Sequence, residues 1–280
     1  MSPGSAAGIF LTHRESPRIS RHFERLVAET GDLVTWHLVV SRDAYPRPEA
    51  PFAYPDPAEV MPARYRAMAE HGGVQGGYLD TLLVPVLSGL DADQLWVCEY
   101  DVDFAGRWSD LFAPLRHLQA DLLTTTLLRR REQPRWTWWP TAAAPPEVLP
   151  EHWVRSLNPL MRVSRRMLET YAAAMADDGW AGHYEFTLPT AALDAGLRVV
   201  DLGGEGAFVP SGHERRVYFG RTRAGTPPDQ TFGFRPVREH YFHEAPEEFG
   251  QRGLLYHPVK PDVPVWTRET MNAIRPAVES

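Results

Sequence analysis

The sequence predicts an α/β fold, a mostly parallel, Rossmann-like central sheet with helices on both faces. Residues 8–40 read as strand, helix and strand, and a parallel pair requires such a crossover. A further apolar run, Leu95–Tyr100, leads into acidic residues, and open α/β sheets meet their ligands at the carboxyl ends of strands. The 280 residues are 43% hydrophobic and 11% aromatic, enough to build a core around such a sheet.

In order along the chain, Gly8–Thr12 is a compact apolar run that stops at His13-Arg14 and reads as a buried strand. Ser16-Pro17 starts a helix in which Ile19, Phe23, Leu26 and Val27 recur at helical spacing, and Gly31-Asp32 closes it. Leu33–Val40 is rich in β-formers and supplies the second strand. The prolines at 46, 48, 51, 55, 57 and 62 predict an irregular connection over 44–62. Gly76–Leu90 returns to helix despite Pro85. Leu95–Tyr100 is a strand, Trp108–Leu118 a helix and Asp121–Leu128 a strand, followed by a Pro- and Trp-rich excursion over Gln133–Pro150. Leu157–Ala176 predicts one long amphipathic helix and Tyr184–Ala195 another, with a short strand at Leu197–Asp201. From Gly203 onward the chain is loop-rich. No repeat or linker divides it, so a single domain over 1–280 is expected.

Composition narrows the function. A formal charge of −7 argues against a nucleic-acid partner, and the single Cys98 excludes a disulfide framework or a cysteine-based zinc site. No stretch approaches the ~20 apolar residues that span a bilayer, and Ala6–Leu11 is too short and lacks the basic lead-in of a signal peptide, so a cytoplasmic protein is expected. The 29 basic residues are 28 arginines and one lysine, Lys260.

The strongest local feature is Glu99, Asp101 and Asp103, three acids at alternate positions where an apolar strand ends. Such acids cap a following helix or sit on a solvated turn, or they hold a divalent cation that keeps open positions for substrate phosphates. Alternate residues share a face for as long as the strand stays extended. His240-x-x-His243 has a spacing compatible with zinc on a helix but no third ligand nearby.

Glu99-Tyr100-Asp101-Val102-Asp103-Phe104-x-Gly106-x-Trp108 resembles the Asp-x-Asp segment of GT-A-type glycosyltransferases, bacterial and fungal members in particular. Three further segments resemble that family in the same order. Thr12-His13-Arg14 ends the strand that receives the nucleotide. Gly182–Thr190 and Gly196–Gly204 look like the acceptor-side helix and the strand after it. Tyr256-His257-Pro258-Val259-Lys260 looks like a closing His-Pro-x-Lys motif. The resemblance runs over about residues 8–261, with nothing matched over about 205–250. It implies a GT-A-like domain with a nucleotide-binding half (about 8–128) and an acceptor half (about 150–261).

The activity implied is transfer of a sugar from a nucleotide-diphosphate-sugar donor to a hydroxyl or amine of a small-molecule or glycan acceptor, assisted by Mn²⁺ or Mg²⁺. The resemblance implies Asp101, Asp103 and His257 as metal ligands. Thr12, His13, Arg14, Glu99, Asp101 and Lys260 fall on the donor side. Glu185 becomes the candidate general base, with His183 assisting it or capping the helix, and Trp136 and Trp138 become platforms for a sugar or acceptor ring. A phosphoesterase or nucleotidyltransferase would use the same strand-end acids, but with more of them to hold two metals. A non-catalytic nucleotide-sugar-binding protein of the same fold would not need Glu185.

Overall fold

The computed structural model describes residues 5–40, 52–53, 63–65, 67, 77–220, 229–234 and 241–262. The predicted connection over 44–62 lies almost wholly outside these residues, as does His240. Seven strands form one sheet: β1 (Ala6–Thr12), β2 (Thr35–Val40), β3 (Phe52–Ala53), β4 (Gln94–Glu99), β6 (Leu122–Arg129), β7 (Val154–Ser164) and β8 (Val199–Asp201). Their spatial order is β3-β2-β1-β4-β7-β6-β8. β1 pairs in parallel with β2 and β4, and β6 with β8, while β7 runs antiparallel to both of its neighbours. Six strands therefore point one way and β7 alone is reversed.

Helices cover both faces. Ile19 and Leu26 of α1 (Pro17–Thr30) and Trp108, Leu111 and Phe112 of α3 (Trp108–Leu115) share a core with Phe10, Trp36, Trp96 and Leu123. On the other face, α2 (Asp80–Ser88), α4 (Arg165–Met175) and α5 (Tyr184–Asp194) bury Leu83, Met167, Leu168 and Phe186 against Ile9, Leu11, Val97 and Met161. Phe10 thus faces one layer while Ile9 and Leu11 face the other. This explains why β1 reads as a continuous apolar run rather than as an alternation. None of the described helices is long and apolar enough to cross a membrane.

The expected helix over 157–176 divides. Its first part, through Ser164, belongs to β7, an eleven-residue strand buried along its whole length. Burial on both faces removes the polar alternation that marks a strand, and the apolar spacing then mimics a helix. Pro159 lies inside β7, where the ladder to β6 shifts register, as expected of a residue with no N–H to donate. Ser164 marks the true start of α4, its Oγ accepting from Met167 N at 3.0 Å.

The chain passes outward through β1, β2 and β3, and then β4 inserts on the opposite side of β1. The strand order reverses there, and open α/β sheets meet their ligands outside the carboxyl ends of the strands at such a point, here β1 and β4. A second, two-stranded antiparallel sheet closes beside it: β5 (Asp103–Phe104) pairs with β9 (Leu255–Tyr256). Val259 N donates to Asp101 O at 2.8 Å, so the late segment 255–260 lies against the acidic end of β4.

Candidate metal centre and active site

β4 stops at Glu99. Tyr100 N still donates to Leu11 O of β1 at 2.9 Å, but Val102 N turns back to Glu99 O at 3.0 Å, and the chain resumes as β5 in the other sheet. This turn separates the three acids. Glu99 and Asp101 come together with His257, and one donor atom from each comes within 4.8 Å of the others. Among the described residues this is the only group of three or more such side chains that could hold a metal ion.

Asp103 does not join them. Its buried carboxylate faces α1, where Arg25 Nη2 lies 3.1 Å away, His22 Nδ1 3.6 Å and Arg18 Nη2 3.8 Å, and its Oδ1 also accepts from Phe104 N at 2.8 Å. The expected shared face required extended backbone through 103. The turn at 100–102 breaks it, so Glu99 stands where Asp103 was expected.

The donor set fits a divalent cation. The Nδ1 of His257 lies 2.7 Å from Gly233 O, and a carbonyl only accepts, so Nδ1 carries the proton. Nε2 is then left with its lone pair, 3.7 Å from Asp101 Oδ1. Burial holds the ring below its usual pKa, hence neutral. Asp101 Oδ1 is itself buried with no hydrogen-bond partner, a position that a cation would satisfy. Two carboxylates suit Mg²⁺ or Mn²⁺, and the imidazole nitrogen favours Mn²⁺.

Lys260 completes this corner. Its Nζ lies 3.1 Å from Asp101 Oδ2 and faces the rings of Tyr241 and Tyr100 at 4.8 and 5.5 Å. Burial works to raise the Asp101 pKa, but His257 and the Lys260 ammonium outweigh it and hold the carboxyl below its ordinary value. Glu99 goes the other way, up to about 8, through burial and then the charges of Asp101 and Glu185. The influence of Glu185 on Glu99 links the metal corner to the acceptor-side helix.

That helix, α5, begins after Gly182, whose φ of +107° suits glycine and whose Cβ, if present, would lie 2.9 Å from Thr141 O. His183 is its N-cap, with Nδ1 accepting from Glu185 N at 3.2 Å. Burial, then Arg155, pushes the His183 pKa down to about 3, so the ring is neutral and its Nδ1 is committed to the cap. Of the two roles expected for His183, capping is the one its contacts describe. Glu185 is partly buried, and burial raises its pKa to about 7, against a lowering by Arg155.

The rings of Trp136 and Trp138 each lie 5.5 Å from that of His183, whereas the neighbouring Trp139 turns into the core. On the β1 side, Thr12 closes a turn by donating to Arg14 O at 2.6 Å. The exposed His13 meets the Tyr100 ring edge-on at 5.0 Å, and Arg14 is exposed beside it. Arg155, Gln133 and Gly233 were not expected here. Arg155 is buried on β7 and donates to Gln133 Oε1 at 2.6 Å. A charged residue near the start of β7 was the available signal, lost because most of that strand read as helix over 157–176.

Comparison with protein-family models and with curated proteins finds no match to this chain. The functional reading therefore stands on the geometry of this cluster.

Proposed function

We propose that this chain is a metal-assisted glycosyltransferase of the GT-A type, transferring a sugar from a nucleoside-diphosphate donor to an acceptor hydroxyl or amine. The observation that carries the reading is the convergence of Glu99, Asp101 and His257 outside the carboxyl ends of β1 and β4. Their donor set suits a cation bridging to phosphate oxygens. The late pairing of β5 with β9 supports it by bringing His257 and Lys260 to the same corner.

Glu99, Asp101 and His257 would hold Mn²⁺ or Mg²⁺. Such an ion supplies Lewis-acid stabilisation of charge on the departing diphosphate. Lys260 adds a fixed positive charge at the same place, and Thr12, His13 and Arg14 border the donor at the end of β1. On the opposite wall Glu185 takes the proton from the acceptor hydroxyl as its oxygen bonds to the anomeric carbon and the bond from that carbon to the diphosphate breaks. A carboxylate with a pKa of about 7 suits this role, since it is ionised in about half of the molecules at neutrality yet basic enough to accept. Trp136 and Trp138 offer faces for an acceptor ring.

The test is calorimetric titration of UDP with and without Mn²⁺, on the unmodified protein and on Asp101→Asn and His257→Ala. Mn²⁺ should strengthen UDP binding by tenfold or more, and each substitution should abolish that gain while the melting temperature stays within a few degrees. UDP binding that ignores Mn²⁺, or a gain that persists in both variants, would overturn the assignment.

A further inference from the structure

Lys260 is more than a spare cation beside a metal position. The two oxygens of Asp101 are divided: Oδ2 lies 3.1 Å from Lys260 Nζ, while Oδ1, buried and without a hydrogen-bond partner, faces His257 Nε2. The ammonium is itself largely enclosed, with Tyr100 and Tyr241 around it. The ammonium at 3.1 Å offsets the Asp101 carboxylate, so the corner alone holds too little negative charge to draw a divalent cation strongly out of water. Cation affinity rises with ligand charge, and Mg²⁺-like ions are commonly held by one or two carboxylates together with substrate phosphates rather than by protein alone.

We propose that Lys260 makes metal binding conditional on the diphosphate. This rests on the metal–nucleotide reading above. In the free protein the ammonium neutralises Asp101 and keeps affinity for the bare ion low. A diphosphate adds the missing negative charge, so ion and nucleotide strengthen each other's binding. Linkage makes the factor the same in both directions. The lysine also orients Asp101, since holding Oδ2 leaves Oδ1 aimed at the ion.

The inference is tested by titrating Mn²⁺ alone into the full chain, and then UDP with and without Mn²⁺, for the unmodified protein, Lys260→Met, Lys260→Gln and Lys260→Arg. The unmodified protein should bind Mn²⁺ alone weakly and with UDP at least about tenfold more tightly. In Lys260→Met and Lys260→Gln, Mn²⁺ alone should bind about tenfold or more tighter than in the unmodified protein, because a nearby positive charge is gone. UDP alone should bind more weakly, and the mutual strengthening should shrink. Lys260→Arg keeps the charge and should keep the unmodified pattern. If UDP and Mn²⁺ reinforce each other in the unmodified protein, but both neutral variants bind Mn²⁺ alone no better than it does, this inference fails and the function proposal stands. If no form binds Mn²⁺ with or without UDP, both fail.

Discussion

At Glu185 the fold favours the neutral acid and the proposed chemistry needs the anion. Burial raises its pKa from the usual 4.5 to about 7, so the folded protein binds this proton more tightly than the unfolded chain does. Stability therefore falls as pH rises from about 4.5, and the loss is complete above about 7. Turnover has the opposite slope, rising about tenfold per pH unit below 7 and levelling above. Glu185→Gln should remove both effects. We expect turnover to drop by 10²–10⁴-fold with donor affinity nearly unchanged. At pH 8 the variant should be as stable as the unmodified protein or up to about 3 kcal/mol more stable, with little difference at pH 4.5. Steady-state rates and melting curves at both pH values check this, and near-normal turnover would retire the base assignment. That Glu185 begins a helix is readable from Gly182-His183-Tyr184. The shift in its pKa is not, because it depends on burial and on Arg155, distant in sequence and near only in the fold.

Among the elements, the passage from β4 to β5 decides which acid does what. In the sequence Glu99, Asp101 and Asp103 are equivalent by spacing. The turn at 100–102 makes them different: two meet His257 and the third faces α1. Asp103→Asn should therefore act on stability, costing about 3 kcal/mol by leaving Arg25 and Arg18 without their buried carboxylate. The UDP and Mn²⁺ affinities of the folded variant should change less than about threefold. Urea unfolding and calorimetry measure the two effects, and a variant of full stability that has lost Mn²⁺-dependent UDP binding would make Asp103 a ligand after all. Local signals served well where an element announces its ends. Ser16 caps α1, accepting from Ile19 N at 3.2 Å, and the apolar run 95–100 is β4 to within a residue. They failed at β7, where the sheet is covered on both faces, and helical and strand patterns converge on unbroken hydrophobicity.

Across the whole molecule, order along the chain was legible but closure was not. Strand, helix and strand at the start, and acids at the end of β4, announce a parallel sheet with a site at its carboxyl edge. Nothing local announces that 255–260 returns to pair with β5, because two-residue strands carry no period. The return is anchored through Tyr218, whose hydroxyl donates to Asp201 at 2.8–2.9 Å, and through Leu255 N, which donates to Val217 O at 2.8 Å. Gly204 packs against this anchor: a Cβ there would lie 2.1 Å from the Tyr218 ring. Gly204→Ala should cost about 3 kcal/mol and weaken UDP–Mn²⁺ binding by displacing the strand that leads into His257. Gly250→Ala, with no atom within 4 Å of its Cβ, should be neutral to within about 0.5 kcal/mol. Thermal unfolding of the pair checks this, and equal stability of the two variants would show that Tyr218 yields freely.

The late arrival of His257 and Lys260 also bears on how the protein is made. The last described strand of the large sheet ends at Asp201, so the described strands of that sheet have all been synthesised before residues 202–256, which must follow before Glu99, Asp101 and His257 can come together. At about 5–20 residues per second, a ribosome needs about 3–10 s for that stretch. On the proposed function, the nascent chain during this interval has a scaffold but lacks the late residues that would engage a nucleotide sugar. A translation product aborted there, or a chain clipped by a protease within it, would lack half of the charged corner. On the same proposal it would be inert toward donor.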